Sequence, residues 1–159
     1  MKDTLEQSRI ELRRAEHLLY VSLKYSRTVD VIKNVLERLI STLETSIDAL
    51  LIKKIDEKKI DKMPELPRMK IETAKKLYND TFTQEFIDFY IYLRTLQKSP
   101  YDAQKEYRRH VTMIAHIPEG NVNVDIDKIA GYYQRTVWYV MHAHTICGED
   151  EQQVSTKHV

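Results

Sequence analysis

An arginine and a histidine seven positions apart are the clearest candidates for chemistry in this sequence. They are Arg109 and His116, and His110 follows the arginine directly. An imidazole titrates near neutral pH and can take up or release a proton there. A guanidinium presents a rigid fork of N–H donors that matches phosphate oxygens. These side-chain types therefore suit phosphate binding and proton transfer.

Basic residues also concentrate between positions 94 and 110, where tyrosines are interleaved with them. Such a patch can hold single-stranded RNA through phosphate contacts and base stacking. A chain with 31% charged residues also produces solvated runs of this kind, so an ordinary exposed surface is the alternative. The predicted nucleic-acid-binding residues are Arg94, Lys98, Lys105, Arg108, Arg109 and His110.

The spacing of small and metal-ligating residues excludes several other kinds of site. The three glycines, Gly120, Gly131 and Gly148, lie too far apart to form a phosphate-cradling loop or a dinucleotide-binding turn. His142 and His144 are two positions apart, a spacing that points them in different directions on a helix. We therefore predict no metal site and no cofactor.

Composition places the chain among single-domain proteins. At 159 residues it is long enough to bury a core without disulfides or metals, and its single cysteine, Cys147, cannot form an internal disulfide. The net charge of +1 predicts no global attraction to nucleic acid or membranes. With no signal-like start and no long apolar run, the chain is predicted to be cytoplasmic and independent of membranes.

Hydrophobic periodicity predicts that helices form most of the chain. Helix one is expected over 3–25, helix two over 29–55 with Thr28 or Asp30 as its cap, and a short helix three over 68–79. Thr81 or Thr83 can begin helix four, Ser99-Pro100 ends it, and Asp125 can cap a last helix over 126–147. The polar tail 149–159 is expected to be disordered.

The segment 106–124 is ambiguous between helix and strand. Tyr107, Val111 and Ile114 fit a helical stripe, yet β-branched residues are frequent, and Pro118–Asn121 has turn chemistry. We favour a β-hairpin. Seven positions apart, Arg109 and His116 would share one face of a helix but point to opposite faces of a strand. The predicted fold is thus an all-α antiparallel bundle of four to five helices with a small β-hairpin before the last helix.

The stretch Arg109-His110-Val111-Thr112-Met113-Ile114-Ala115-His116 resembles the motif of HEPN domains, small helical bundles that include metal-independent ribonucleases and nucleotide-binding proteins. The layout of 3–147 also resembles small HEPN-like archaeal proteins. The resemblance implies that Arg109 binds the RNA phosphate, that His116 transfers a proton, and that His110 fills the polar position between them. In that family this pair faces a cleft between two protomers.

Two functions follow as hypotheses. The first is a single HEPN-like domain over 1–148 that acts as a non-catalytic RNA- or nucleotide-binding, or protein-interaction, module. The alternative is a metal-independent, toxin- or defence-like endoribonuclease that uses Arg109 and His116. A homodimer through the last helices or the first helical hairpin is expected in either case.

Overall fold

The longest helix, α3 (Val29–Asp56), lies at the centre of the fold in the computed structural model, which describes residues 2–148. It begins where Thr28 Oγ1 accepts a hydrogen bond from Val31 N at 3.3 Å, which confirms Thr28 as the cap. Its apolar residues step by three and four along one face, and further buried positions such as Thr42, Ala49 and Leu51 widen that face. As a result other helices pack against α3 on several sides.

The first helical hairpin pairs α3 with α1 (Lys2–His17). Leu5 and Leu12 of α1 are buried, and the small Ser8 between them lets the backbones approach, because its Oγ lies 2.7 Å from Ser46 Oγ of α3. The predicted continuous helix over 3–25 is interrupted. A π-helical turn (Leu18–Ser22) follows α1, and a short helix α2 (Leu23–Tyr25) completes the segment.

Two further helices cover another side of α3. They are α4 (Pro67–Leu77) and α5 (Thr81–Lys98). Asp80 caps α5, since its Oδ2 accepts from Thr83 N at 2.8 Å, and the predicted threonine caps are therefore wrong. The carboxylate takes this role because it precedes the helix with an extended backbone.

A small antiparallel sheet precedes the last helix. The predicted hairpin is present as β2 (Thr112–Ile117) and β3 (Gly120–Val124), but β1 (Tyr101–Gln104) extends it to a three-stranded sheet in the order β1-β2-β3. The fold is therefore mainly helical rather than all-α with one hairpin. Buried residues of β2 and β3 add to the core, whereas β1 is exposed along its whole length. Gly120 has a φ of 131°, a conformation that favours glycine beside the two-residue turn.

The last helix, α6 (Ile126–Ile146), begins at the predicted cap, where Asp125 Oδ1 accepts from Lys128 N at 2.8 Å. Tyr133 lies in the core as its spacing predicts. Tyr132 is buried as well, and its hydroxyl has a polar partner in the Tyr92 hydroxyl at 2.9 Å. The tail predicted to be disordered, 149–159, lies outside the described residues.

Candidate functional site

A pocket of about 370 Å³ lies between α2, the loop 105–111 and the start of α6. We call it the basic pocket. It combines four basic side chains with two carboxylates and an apolar wall. Its lining residues are Lys24, Arg27, Arg109, His110, Asp125, Asp127, Leu19, Tyr20, Leu23 and Ile126. Its volume is within the usual range of small-ligand sites.

The loop 105–111 brings Arg109 to this pocket by docking on the turn between α2 and α3. Tyr107 N donates a hydrogen bond to the Arg27 carbonyl at 2.6 Å, and Glu106 Oε1 accepts from Val29 N at 3.2 Å. The glutamate thus places its negative charge at the positive end of α3. The loop is therefore fixed to the element that also supplies Arg27.

Two residues of this loop adopt a backbone conformation that is costly for side chains other than glycine. Lys105 has a φ of 55° and Tyr107 a φ of 64°. Each such residue costs on the order of 1 kcal/mol and persists only where surrounding contacts enforce it. The contacts with the α2–α3 turn keep these residues in that conformation. They therefore fix the backbone of the loop that carries Arg109.

The basic pocket has more cationic than anionic side chains, which favours an anionic ligand, and its carboxylates can accept hydrogen bonds. Lys24, Arg27 and Arg109 outnumber the carboxylates of Asp125 and Asp127, and Asp125 is already engaged at the N-terminus of α6. Within residues 2–148, Arg27 Nε is shielded from solvent and makes no hydrogen bond. A buried donor without an acceptor is costly, but because this nitrogen is closed to solvent, that cost does not by itself favour a ligand in the pocket.

The predicted nucleic-acid-binding residues divide between two surfaces. Arg109 and His110 line the basic pocket, and Lys105 and Arg108 are exposed in the same loop. Arg94 and Lys98 instead line a groove between α4 and α5, together with Arg68. The structure therefore does not gather the residues of 94–110 into one patch.

His116 lies on β2, beyond the loop that holds Arg109. Its Nε2 is 2.8 Å from Asp102 Oδ2 of β1, and its Nδ1 is 2.8 Å from Asn121 Oδ1 of β3. About 13 Å of strand separates it from Thr112, and it does not line the basic pocket. Both ring nitrogens therefore have partners within the sheet, one on β1 and one on β3. The structure does not bring Arg109 and His116 into one site.

The two partners of His116 favour its charged form. The hydrogen bond to Asn121, followed by that to Asp102, raises the pKa of His116 above its ordinary value of 6.5. Because the pKa is raised in the folded state, its stabilising contribution is complete below pH 6.5 and is lost as the pH rises through the folded pKa. In the charged form, His116 bridges all three strands.

An NMR titration of His116 can measure this bridge. We expect the wild-type pKa to exceed 6.5 and the Asp102→Asn variant to titrate at a lower pH, because the acceptor charge is gone. Identical His116 titrations in both proteins would contradict the bridge.

Sequence reasoning identified Arg109 and His110 but not the other cations of the basic pocket. Tyr20, Lys24 and Arg27 are spaced by four and three residues, which is the signal that one helix face presents them together. Nothing in that spacing indicates that the distant loop 105–111 packs beside them. One of the two contacts, from Tyr107 N to the Arg27 carbonyl, joins backbone atoms, and the other uses the Glu106 side chain.

The histidines of α6 have protein partners in the structure. His142 Nε2 lies 3.2 Å from Thr83 Oγ1 and 3.6 Å from Asp80 Oδ2, whereas His144 Nδ1 lies 3.1 Å from Arg9 Nη2. Over residues 2–148, no three His, Cys, Asp or Glu side chains gather in a way that would hold a metal ion. No helix in that range combines the length and apolarity needed to cross a membrane.

Comparisons of the chain with protein-family models, with curated proteins and with solved structures find no match.

Proposed function

We propose that this protein is a non-catalytic module that binds RNA or a nucleotide in the basic pocket. The observation that supports this is the convergence of Lys24, Arg27 and Arg109 from two separate segments on one pocket of about 370 Å³. Their cationic groups suit phosphate oxygens, and the guanidiniums can bind them as a fork. We further propose that it acts in the cytoplasm, where a lone cysteine such as Cys147 stays reduced.

The remaining lining of the basic pocket suits the other parts of a nucleotide. The Tyr20 ring lies in the wall and offers a face on which a base can stack. The Asp127 carboxylate is an acceptor for amino or hydroxyl groups, which bases and riboses provide. A simple inorganic anion would use only the cations, so the mixed lining favours a nucleotide or a single RNA strand.

Titration of a fluorescently labelled single-stranded RNA, followed by anisotropy at low salt, tests this proposal. We expect saturable binding that an unlabelled mononucleotide competes away, because both ligands would occupy the same pocket. Absence of binding at low salt would contradict the proposal, since the phosphate contacts are strongest under that condition.

The endoribonuclease is the second candidate, and its basis is the resemblance of Arg109 and His116 to the HEPN motif. The separation of the two residues argues against it, because His116 does not line the pocket that Arg109 lines, and a proton-transfer residue must lie within hydrogen-bond reach of the group it acts on. An RNA-cleavage assay in EDTA should therefore give equal results for the wild type and for His116→Ala. Cleavage by the wild type that His116→Ala abolishes would favour the ribonuclease over the binding module.

We also propose that the chain is a HEPN-like domain and that it forms a homodimer. Trp138 on α6 is 68% exposed, which is unusual for so large an apolar side chain. A second copy that packs on α6, as the sequence predicts for the dimer, would cover this ring. The dimeric cleft that the family resemblance implies would then involve the same helix.

A further inference from the structure

A second basic site lies between α1 and α3. It is a groove of about 420 Å³ whose lining residues are Ile10, Arg13, Arg14, His17, Leu18 and Arg38. We call it the arginine groove. Its lining residues include three arginines and a histidine but no acidic residue, and Ile10 and Leu18 contribute to an apolar floor. The function proposed above does not use any of these residues.

One nearly buried carboxylate orients two of the guanidiniums. The side chain of Glu11 is 9% exposed, and its Oε1 accepts from Arg14 Nη1 at 2.9 Å. Its Oε2 accepts from Arg38 Nη1 at 3.2 Å, so two arginines from different helices share a single counter-ion. Each has its Nη1 in that contact, which leaves its other N–H donors for a ligand.

Among residues 2–148, the three groove arginines form ion pairs with two glutamates, Glu11 and Glu6. Glu11 carries one negative charge for Arg14 and Arg38 together. Arg13 pairs with Glu6 only at 3.7 Å, and Glu6 also accepts a closer bond from Arg9 at 3.1 Å. In the described part of the chain, the three arginines therefore carry more positive charge than these two glutamates offset. Neither glutamate lines the groove.

We propose that the arginine groove binds the phosphoryl group of a small organic phosphate ester. Guanidiniums match the tetrahedral oxygens of a phosphate, and the bonds of Arg14 and Arg38 to Glu11 lower the entropic cost of ordering those two side chains on binding. Ile10 and Leu18 would contact the apolar part of the ester, which inorganic phosphate lacks. This site is independent of the basic pocket and does not require that the basic pocket bind RNA.

Isothermal titration calorimetry with phenyl phosphate and with inorganic phosphate tests the proposal. We expect both ligands to bind and phenyl phosphate to bind more tightly, because only it reaches the apolar floor. Arg38→Gln and Arg13→Gln should each weaken phenyl phosphate binding about tenfold, the loss expected for one charge-assisted hydrogen bond. Arg68→Gln, which removes an arginine 89% exposed on α4, is the matched control and should bind as the wild type does.

Several outcomes would overturn this inference. Binding of neither phosphate to the wild type at millimolar concentration would do so, as would unchanged affinity in both Arg13→Gln and Arg38→Gln. Loss of phenyl phosphate binding in Arg109→Ala, with Arg13→Gln unaffected, would move the ligand to the basic pocket. Should Arg38→Gln unfold, Arg13→Gln alone decides, because its side chain is exposed and only weakly paired.

Discussion

Replacing Arg109 with alanine is expected to weaken RNA or nucleotide binding at least tenfold. The docked loop 105–111 places Arg109 at the basic pocket, and one charge-assisted hydrogen bond to phosphate is worth about 1.5–3 kcal/mol. The change should leave the fold intact, since the side chain is exposed and the contacts that dock the loop involve Glu106 and Tyr107. Anisotropy titration of a labelled single-stranded RNA measures the effect.

Arg94→Ala is the matched comparison for this loss. Arg94 belongs to the same basic stretch of sequence but lines the groove between α4 and α5. We expect it to change RNA affinity less than threefold, as an order-of-magnitude limit for a charge remote from the ligand. Equal losses in Arg94→Ala and Arg109→Ala would contradict the basic pocket as the site and would favour a patch spread over both surfaces.

Arg9→Ala is expected to lower the free energy of unfolding by about 3 kcal/mol, the scale for removing one partner of a buried charged group. Arg9 on α1 is 6% exposed, and it lies 3.1 Å from both Glu6 Oε2 and His144 Nδ1. Its loss would remove a contact between α1 and α6 and leave a void at their junction. Urea denaturation of both proteins measures the difference.

Arg13→Ala controls for the loss of an arginine from the same helix. Its guanidinium is half-exposed and lies 3.7 Å from Glu6, so the expected cost is below about 1 kcal/mol. Equal stability losses in the Arg9 and Arg13 variants would mean that the buried junction with α6 contributes no more than an exposed ion pair.

The helices could be predicted because their apolar spacing is regular. The predicted range 29–55 differs from α3 by one residue at its end. The predicted caps Thr28 and Asp125 both accept hydrogen bonds from the first turns of their helices. Strand β1 could not be predicted in the same way. All four of its residues are exposed, so no hydrophobic alternation marks it, and its strand conformation follows from pairing with β2.

The candidate site was predictable only in part, for a related reason. Side-chain chemistry identified Arg109 and His116 as a possible pair, but the distance between them depends on whether the intervening chain is helical. Because β2 is extended, His116 meets Asp102 and Asn121 instead of the basic pocket. The loop 105–111 packs beside Arg27 partly through the hydrogen bond from Tyr107 N to the Arg27 carbonyl. This bond joins backbone atoms, so the residue types do not indicate it.

The salt dependence of RNA affinity tests the central claim most directly, namely that the basic pocket binds phosphates. If Lys24, Arg27 and Arg109 neutralise three phosphates of a single strand, the logarithm of affinity should fall with the logarithm of salt concentration with a slope of about −2. Arg109→Ala should reduce the magnitude of that slope by about 0.7. Absence of binding at low salt, or a slope that Arg109→Ala leaves unchanged, would contradict the claim.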